Sequence, residues 1–419
     1  MWDALWVNLR VATMAGNAPF GLIEDGAVAA DKGRIAWVGA RAALPGHPDA
    51  LARVVHDGKG RLMTPGLIDP HTHIVYAGNG VTDFELLTQG GTRDEMIAAG
   101  GGVPGLVRNT RAASEEQLYA VSEKRVKQLI AHGVTTMESK SGAGLDLETE
   151  LRSMRVSRRL GRNLPLTVAS TFLGAHAVGP EFKGRPDAYV DFLCDTVLPA
   201  AIREDLVDAV DGFCDPTGFN HAQITRLFEA AAANGLPVKL HSEQYRDYRA
   251  ADLVAKFRGL SADHLEYACE ATVRALADAG TVATLLPGAH FIMGETHRPP
   301  VKLLREHGVP MALATNCNPV SSPTMSPPMM MNMACRLFGL TTEEALAAFT
   351  RVSARALGLK DRGTIDNGKV ADFALWDVER PGEIAAAIAH NPCDTVIKGG
   401  AVVYQAAPIA IRRPGGLAG

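Results

Sequence analysis

The chain has 419 residues, 47% of them hydrophobic and 21% charged, and a formal net charge of −4. This composition excludes a disordered chain and a basic nucleic-acid surface, and no apolar run reaches the roughly 18 residues that cross a bilayer. Such a length suits one (β/α) barrel with a smaller appendage, acting on a small-molecule substrate. In chain order, residues 4–13 and 33–38 read as strands separated by polar turns. Leu67-Ile68-Asp69-Pro70-His71-Thr72-His73 follows, a short apolar run that ends in two histidines. Alternation along a strand puts residues i and i+2 on one face, so His71 and His73 can hold one metal ion together while Thr72 points away.

Seven more short apolar runs come after it, at residues 134–138, 166–170, 209–213, 237–240, 261–263, 281–286 and 309–314. Most are followed by helical spacing, as at residues 114–132 and 224–234. The run at 261–263 is short and only partly apolar. Residues 363–376 give a turn followed by a strand, and 395–404 give a hairpin around Gly399-Gly400. Eight runs alternating with helices predict an α/β fold, a (β/α)8 TIM-like barrel over residues 66–363. The strands at the two ends predict a small β-sandwich domain made from residues 1–65 and 364–419. In such a barrel chemistry sits at the C-terminal ends of the strands. His71, His73, Lys140, His176, His241, Glu243, His264 and Asn316 all fall there.

The six cysteines (194, 214, 269, 317, 335 and 393) form no CxxC pair. Residues 1–6 show no basic start to an apolar segment, and a reducing cytoplasm is expected. Cys317 is either a reactive thiol or a small buried apolar residue. The methionine-rich residues 329–333 read as helix core. Gly100-Gly101-Gly102 reads as a lid or turn, because it lacks the strand-to-helix setting of a phosphate loop.

Several stretches carry a family resemblance: Asp83-Phe84-Glu85-Leu86, Ala99-Gly100-Gly101-Gly102, residues 145–151, Val238-Lys239-Leu240-His241, residues 260–267 and Met331-Asn332-Met333. Over nearly its whole length the chain resembles the imidazolonepropionases, within the metal-dependent amidohydrolase superfamily. The resemblance implies one divalent ion, zinc or iron, held by His71, His73, His241 and the residue at 316. It implies hydrolysis of a ring C–N bond of imidazolone-5-propanoate to N-formimino-L-glutamate in histidine degradation, and a homodimer. The ion would activate water and polarise the ring carbonyl. His264 would orient water or stabilise the developing oxyanion. Glu243 would either move a proton or fix a histidine tautomer.

The chain departs from this family at several pocket positions. Asn316 stands where the family has aspartate, and an amide cannot accept a proton as a general base. The substitution fits an engineered trap, an enzyme using another base, or a metal-binding homologue without turnover. Gly80 replaces an arginine, Ala143 a tyrosine and Val320 a glycine. His176 and Gln244 keep the family's identity, and Asn318 and Ser321 belong to the same substrate-binding set. Arg93 either restores a cation for a carboxylate tail or lies on a solvated helix face. These changes suggest a related ring, such as an oxo- or thio-imidazolidine propionate, as an alternative substrate.

Overall fold

The computed structural model describes residues 1–16 and 18–407. The N-terminal region supplies strands β1 (Trp2–Ala12), β2 (Leu22–Asp31), β3 (Arg34–Ala40), β4 (Ala52–Asp57) and β5 (Leu62–Pro65). The eight apolar runs then form β6 (Leu67–Asp69), β7 (Val134–Lys140), β8 (Thr167–Ala175), β9 (Ala209–Gly212), β10 (Lys239–Ser242), β11 (Ser261–His264), β12 (Val282–Leu285) and β13 (Met311–Leu313). Last come β14 (Phe373–Trp376), β15 (Cys393–Lys398) and β16 (Ala401–Gln405).

Parallel pairing runs in the orders β6-β7-β8-β9 and β10-β11-β12-β13. Bridges from Val210 to Val238 and from Phe213 to His241 join the two groups. Between β13 and β6, Asn316 N–H reaches His71 O at 3.0 Å and His73 N–H reaches Cys317 O at 3.1 Å. The eight strands therefore form one barrel whose seam is tied at the mouth, as the alternation of runs and helices predicts. The helices behind them have strong starts. Ser114 and Gln117 form a capping box for helix Glu115–Ala131, which buries Leu118, Val126, Leu129 and Ile130. Asn220 and Gln223 do the same for helix His221–Ala233.

Strands from both ends of the chain join in one sheet of order β16-β15-β14-β5-β1-β2-β3, with β4 also paired to β1. Antiparallel β14 and β5 bring Phe373 opposite Pro65. Trp6, Val28, Met63, Phe373 and Ile397 pack between its parts. The sequence reading finds β1, β3, β14, β15 and β16 but not β2, β4 or β5. Residues 408–419 of the expected terminal unit lie outside the described residues. Met330 and Met331 are buried in helix Pro327–Met333, and Gly100 and Gly101 turn the chain into helix Gly102–Ala112. Among the described residues no helix is long and apolar enough to cross a membrane, and all six cysteines are free.

Candidate metal centre

Period-two alternation carries the side chains of Asp69, His71 and His73 along one side of the chain as it leaves β6, and all three are buried. His71 and His73 bring their Nε2 atoms within 3.2 Å of each other. The His241 ring, from β10, lies 4.5 Å from that of His71 and 5.5 Å from that of His73. His264 ends β11 with its ring 5.5 Å from that of His241, and His176 stacks on His73 at 5.2 Å. Among the described residues, one ligand atom each from His71, His241 and His264 fall within 4.8 Å of one another. The rings of the three expected histidines, His71, His73 and His241, lie together, but in the set whose ligand atoms come this close His264 stands in place of His73.

A carboxylate sets the tautomer of His71. A carboxylate only accepts, so His71 Nδ1–H donates to Asp263 Oδ2 at 2.6 Å and Nε2 keeps its lone pair. His241 Nδ1 sits 3.1 Å from Asp211 Oδ2, although their alignment makes no hydrogen bond. Beneath the histidines lies a fully buried charge network. Lys140 Nζ contacts Asp211 at 2.6 Å, Glu138 at 2.9 Å and Asp263 at 3.6 Å. Lys239 Nζ contacts Glu138 at 2.8 Å and Pro70 O at 2.8 Å. Burial alone would lower the pKa of the Lys140 ammonium, but Asp211 and Glu138 raise it instead.

Burial, reinforced by Lys140 and neighbouring imidazoles, holds His71 and His241 well below the ordinary imidazole range. Burial with His176 and His241 does the same for His73. Neutral imidazoles are the form that binds a metal. His241 Nε2 and Asn316 Oδ1 are buried with no hydrogen-bond partner, so two polar atoms are left for a ligand that accepts lone pairs. The donor set of imidazole nitrogens and an amide oxygen fits a divalent cation.

Three strand-end residues, Glu243, His264 and Asn316, have left-handed backbones with φ of 48°, 86° and 52°, a concentration of strain typical of functional sites. Glu243 is engaged by a neighbouring helix. Its carboxylate accepts the N–H groups of Ala250 and Ala251 at the start of helix Ala250–Lys256, while burial pushes its pKa up to about 7. His264 Nδ1 lies 3.8 Å from Glu266 Oε2. Burial pushes the Cys317 thiol up to about 12, so it is a buried apolar residue and not a reactive thiolate.

The substrate-pocket candidates divide. His176 is half-buried and its Nδ1 contacts Gly142 O at 3.1 Å. Ala143 is buried beside it, and Gln244 is half-buried after β10. Asn318 closes its own loop, donating to Asn316 O at 2.6 Å and to Ser321 Oγ at 3.1 Å. Gly80 has φ +67°, and a Cβ there would lie 2.2 Å from Pro319 O. It lines a cavity of about 270 Å³ with Asn79, Asp83, Gly101, Arg108 and Val320, which contains none of the histidines. The side chain of Arg93 lies outside the described residues. Sequence reasoning does not single out Glu138, Asp211, Lys239 or Asp263. Their signal is a charge at an inward, alternate position of an apolar strand, two residues before Lys140 or His241 in two cases.

Residues 94–404 match the amidohydrolase family. The chain is 55% identical to the imidazolonepropionase of Ralstonia nicotianae over 402 residues, covering 96% of this chain and 98% of that protein. It is 52% identical to that of Caulobacter vibrioides over 392 residues, 93% and 97% of the two chains. Among solved structures, atrazine chlorohydrolase TrzN from Arthrobacter aurescens TC1, complexed with zinc, matches with a TM-score of 0.72 at 17% identity, covering 96% of this chain and 95% of that one.

Proposed function

The chain belongs to the imidazolonepropionases within the amidohydrolase family, and from that premise we propose how its residues carry out the hydrolysis. It is a hydrolase of a ring C–N bond in histidine degradation, opening imidazolone-5-propanoate to N-formimino-L-glutamate. His71, His73, His241 and Asn316 would hold one divalent ion, zinc or iron. An ion bound there would supply Lewis-acid chemistry, making water more acidic and polarising the ring carbonyl. The observation that carries this reading is the meeting of His71, His73 and His241 beside the unpartnered Asn316 oxygen.

His176 Nε2 faces the substrate ring as an acceptor, and Gln244 offers its amide. His264 orients water or donates to the developing oxyanion. Asn316 supplies an oxygen but no base. Of the proton acceptors at the mouth, His264 with Glu266 beside it takes that role, because Glu243 is engaged by backbone N–H groups. Gly80 has no room for a side chain, so no cation projects from that position toward a substrate tail. The second reading, a changed ring substituent such as an oxo- or thio-imidazolidine propionate, rests on the altered pocket residues Ala143 and Val320. A homodimer and a cytoplasmic setting complete the proposal.

Metal content and turnover, measured on the chain as it stands and on Asn316→Asp, test the assignment. Bound metal with turnover in both forms is expected, the Asp form being faster by about 10². Activity in the Asp form alone would mean that Asn316 traps the enzyme. Metal-free protein with an intact fold would remove the proposed centre. Assays with hydantoin and thiohydantoin propionates decide between the rings, and clear preference for the imidazolone rejects the second reading.

A further inference from the structure

One carboxylate holds the segment that follows β7. Glu150, in the first turn of helix Leu147–Asn163, is 0% exposed. Its oxygens accept the N–H groups of Gly142 at 2.9 and 3.2 Å, of Gly144 at 2.9 Å and of Leu145 at 2.9 Å. A buried charge needs such donors, and here backbone dipoles supply them. The segment they gather is conformationally demanding. Gly142 has φ +93° and Leu145 φ +61°. At Gly142 a Cβ would lie 2.5 Å from Leu173 O and 3.0 Å from His176 Cβ, so the backbone passes this close only as glycine.

That approach places Gly142 O 3.1 Å from His176 Nδ1. A carbonyl only accepts, so Nδ1 carries the proton and Nε2 is left as an acceptor. The same ring stacks on His73 with an interplanar angle of 21° and lies 5.8 Å from the His241 ring. Neither Glu150 nor Gly142 needs to touch the substrate to affect it.

We propose that Glu150 is a positioning residue of the reaction, closing residues 142–145 so that the Gly142 carbonyl fixes the tautomer and plane of His176 at the barrel mouth. The proposal rests on the reading of His176 as a substrate contact. Replacing Glu150 by glutamine keeps the volume but turns one acceptor into a donor facing the N–H groups of Gly142, Gly144 and Leu145. Replacing it by aspartate keeps the charge at a shorter reach.

The test is a double-mutant cycle on purified, metal-loaded full chain with imidazolone-5-propanoate, using Glu150→Gln, His176→Ala and both together, with thermal unfolding followed in parallel. Glu150→Gln should lower kcat/KM by about 10²-fold. In the His176→Ala background it should add no further loss, because the effect passes through that ring. Glu150→Asp should recover part of the rate in the unaltered background and make no difference in His176→Ala. If Glu150→Gln fails to fold, the Asp variant carries the same comparison. If Asn316 holds turnover below detection, the cycle is read as Kd for the same compound. Losses that multiply, or an unchanged rate in Glu150→Gln, overturn the proposal. A full rate in His176→Ala instead overturns the reading of His176, and that single variant shows it separately.

Discussion

Asp263 meets two demands at once, and its replacement separates them. Its Oδ2 accepts a hydrogen bond from His71 Nδ1–H at 2.6 Å, and the same oxygen lies 3.6 Å from Lys140 Nζ. Its Oδ1 accepts from Ser261 Oγ at 2.6 Å. In Asp263→Asn the amide can present N–H to His71, which favours the opposite tautomer and turns the lone pair at Nε2 into a donor. Metal affinity should fall about 10- to 100-fold, read by competition with a chromophoric chelator; an unchanged affinity would detach Asp263 from the centre. The histidines were legible in sequence because two residues apart on a strand means one face. Asp263 was not, since an aspartate beside His264 in a short run looks like the polar end of a strand. Only closure of the barrel turns it inward, against His71 from a strand 192 residues away.

At the scale of elements, loop position accounts for Gly80. The segment after β6 and the one after β13 cross where Gly80 faces Pro319 O, so a methyl group there collides with backbone and must also accept φ +67°. Gly80→Ala should cost about 1–3 kcal/mol, measured by urea unfolding, with metal content unchanged. A neutral outcome would show that the two loops separate freely. The eight barrel strands and the helices behind them were legible because each carries its own signal, an apolar run or helical spacing. Strands β2, β4 and β5 carry less. β5 is four residues long and is defined by pairing with β14, Leu62 opposite Trp376, a partner some 300 residues distant that no local pattern announces. Glu150 was quoted within a matching stretch, yet its contacts with three N–H groups depend on how residues 142–145 turn back.

For the whole molecule, the sheet made from both chain ends and the barrel share one core. Met14, Leu62, Ala374, Trp376 and Val396 cluster with Leu67, Leu129, Ile130 and Val134 of the barrel. Trp376 is fully buried, and its Nε1 donates to Thr64 Oγ1 at 2.9 Å. Its ring lies so close to Gly133 that a Cβ there would be 2.8 Å away. Polar ties run beside this core. Lys398 Nζ meets Asp372 at 2.6 Å and Thr167 Oγ1 at 2.9 Å, and Arg362 Nη1 donates to Thr136 and Thr167 at 3.0 and 2.8 Å. Unfolding either part alone would expose the apolar side chains of the other and strand the buried Asp372 carboxylate. Calorimetry should therefore show a single transition whose van't Hoff and calorimetric enthalpies agree. Two resolved transitions would mean that the shared core contributes too little to couple the parts, and the terminal sheet would then be an independently folding appendage.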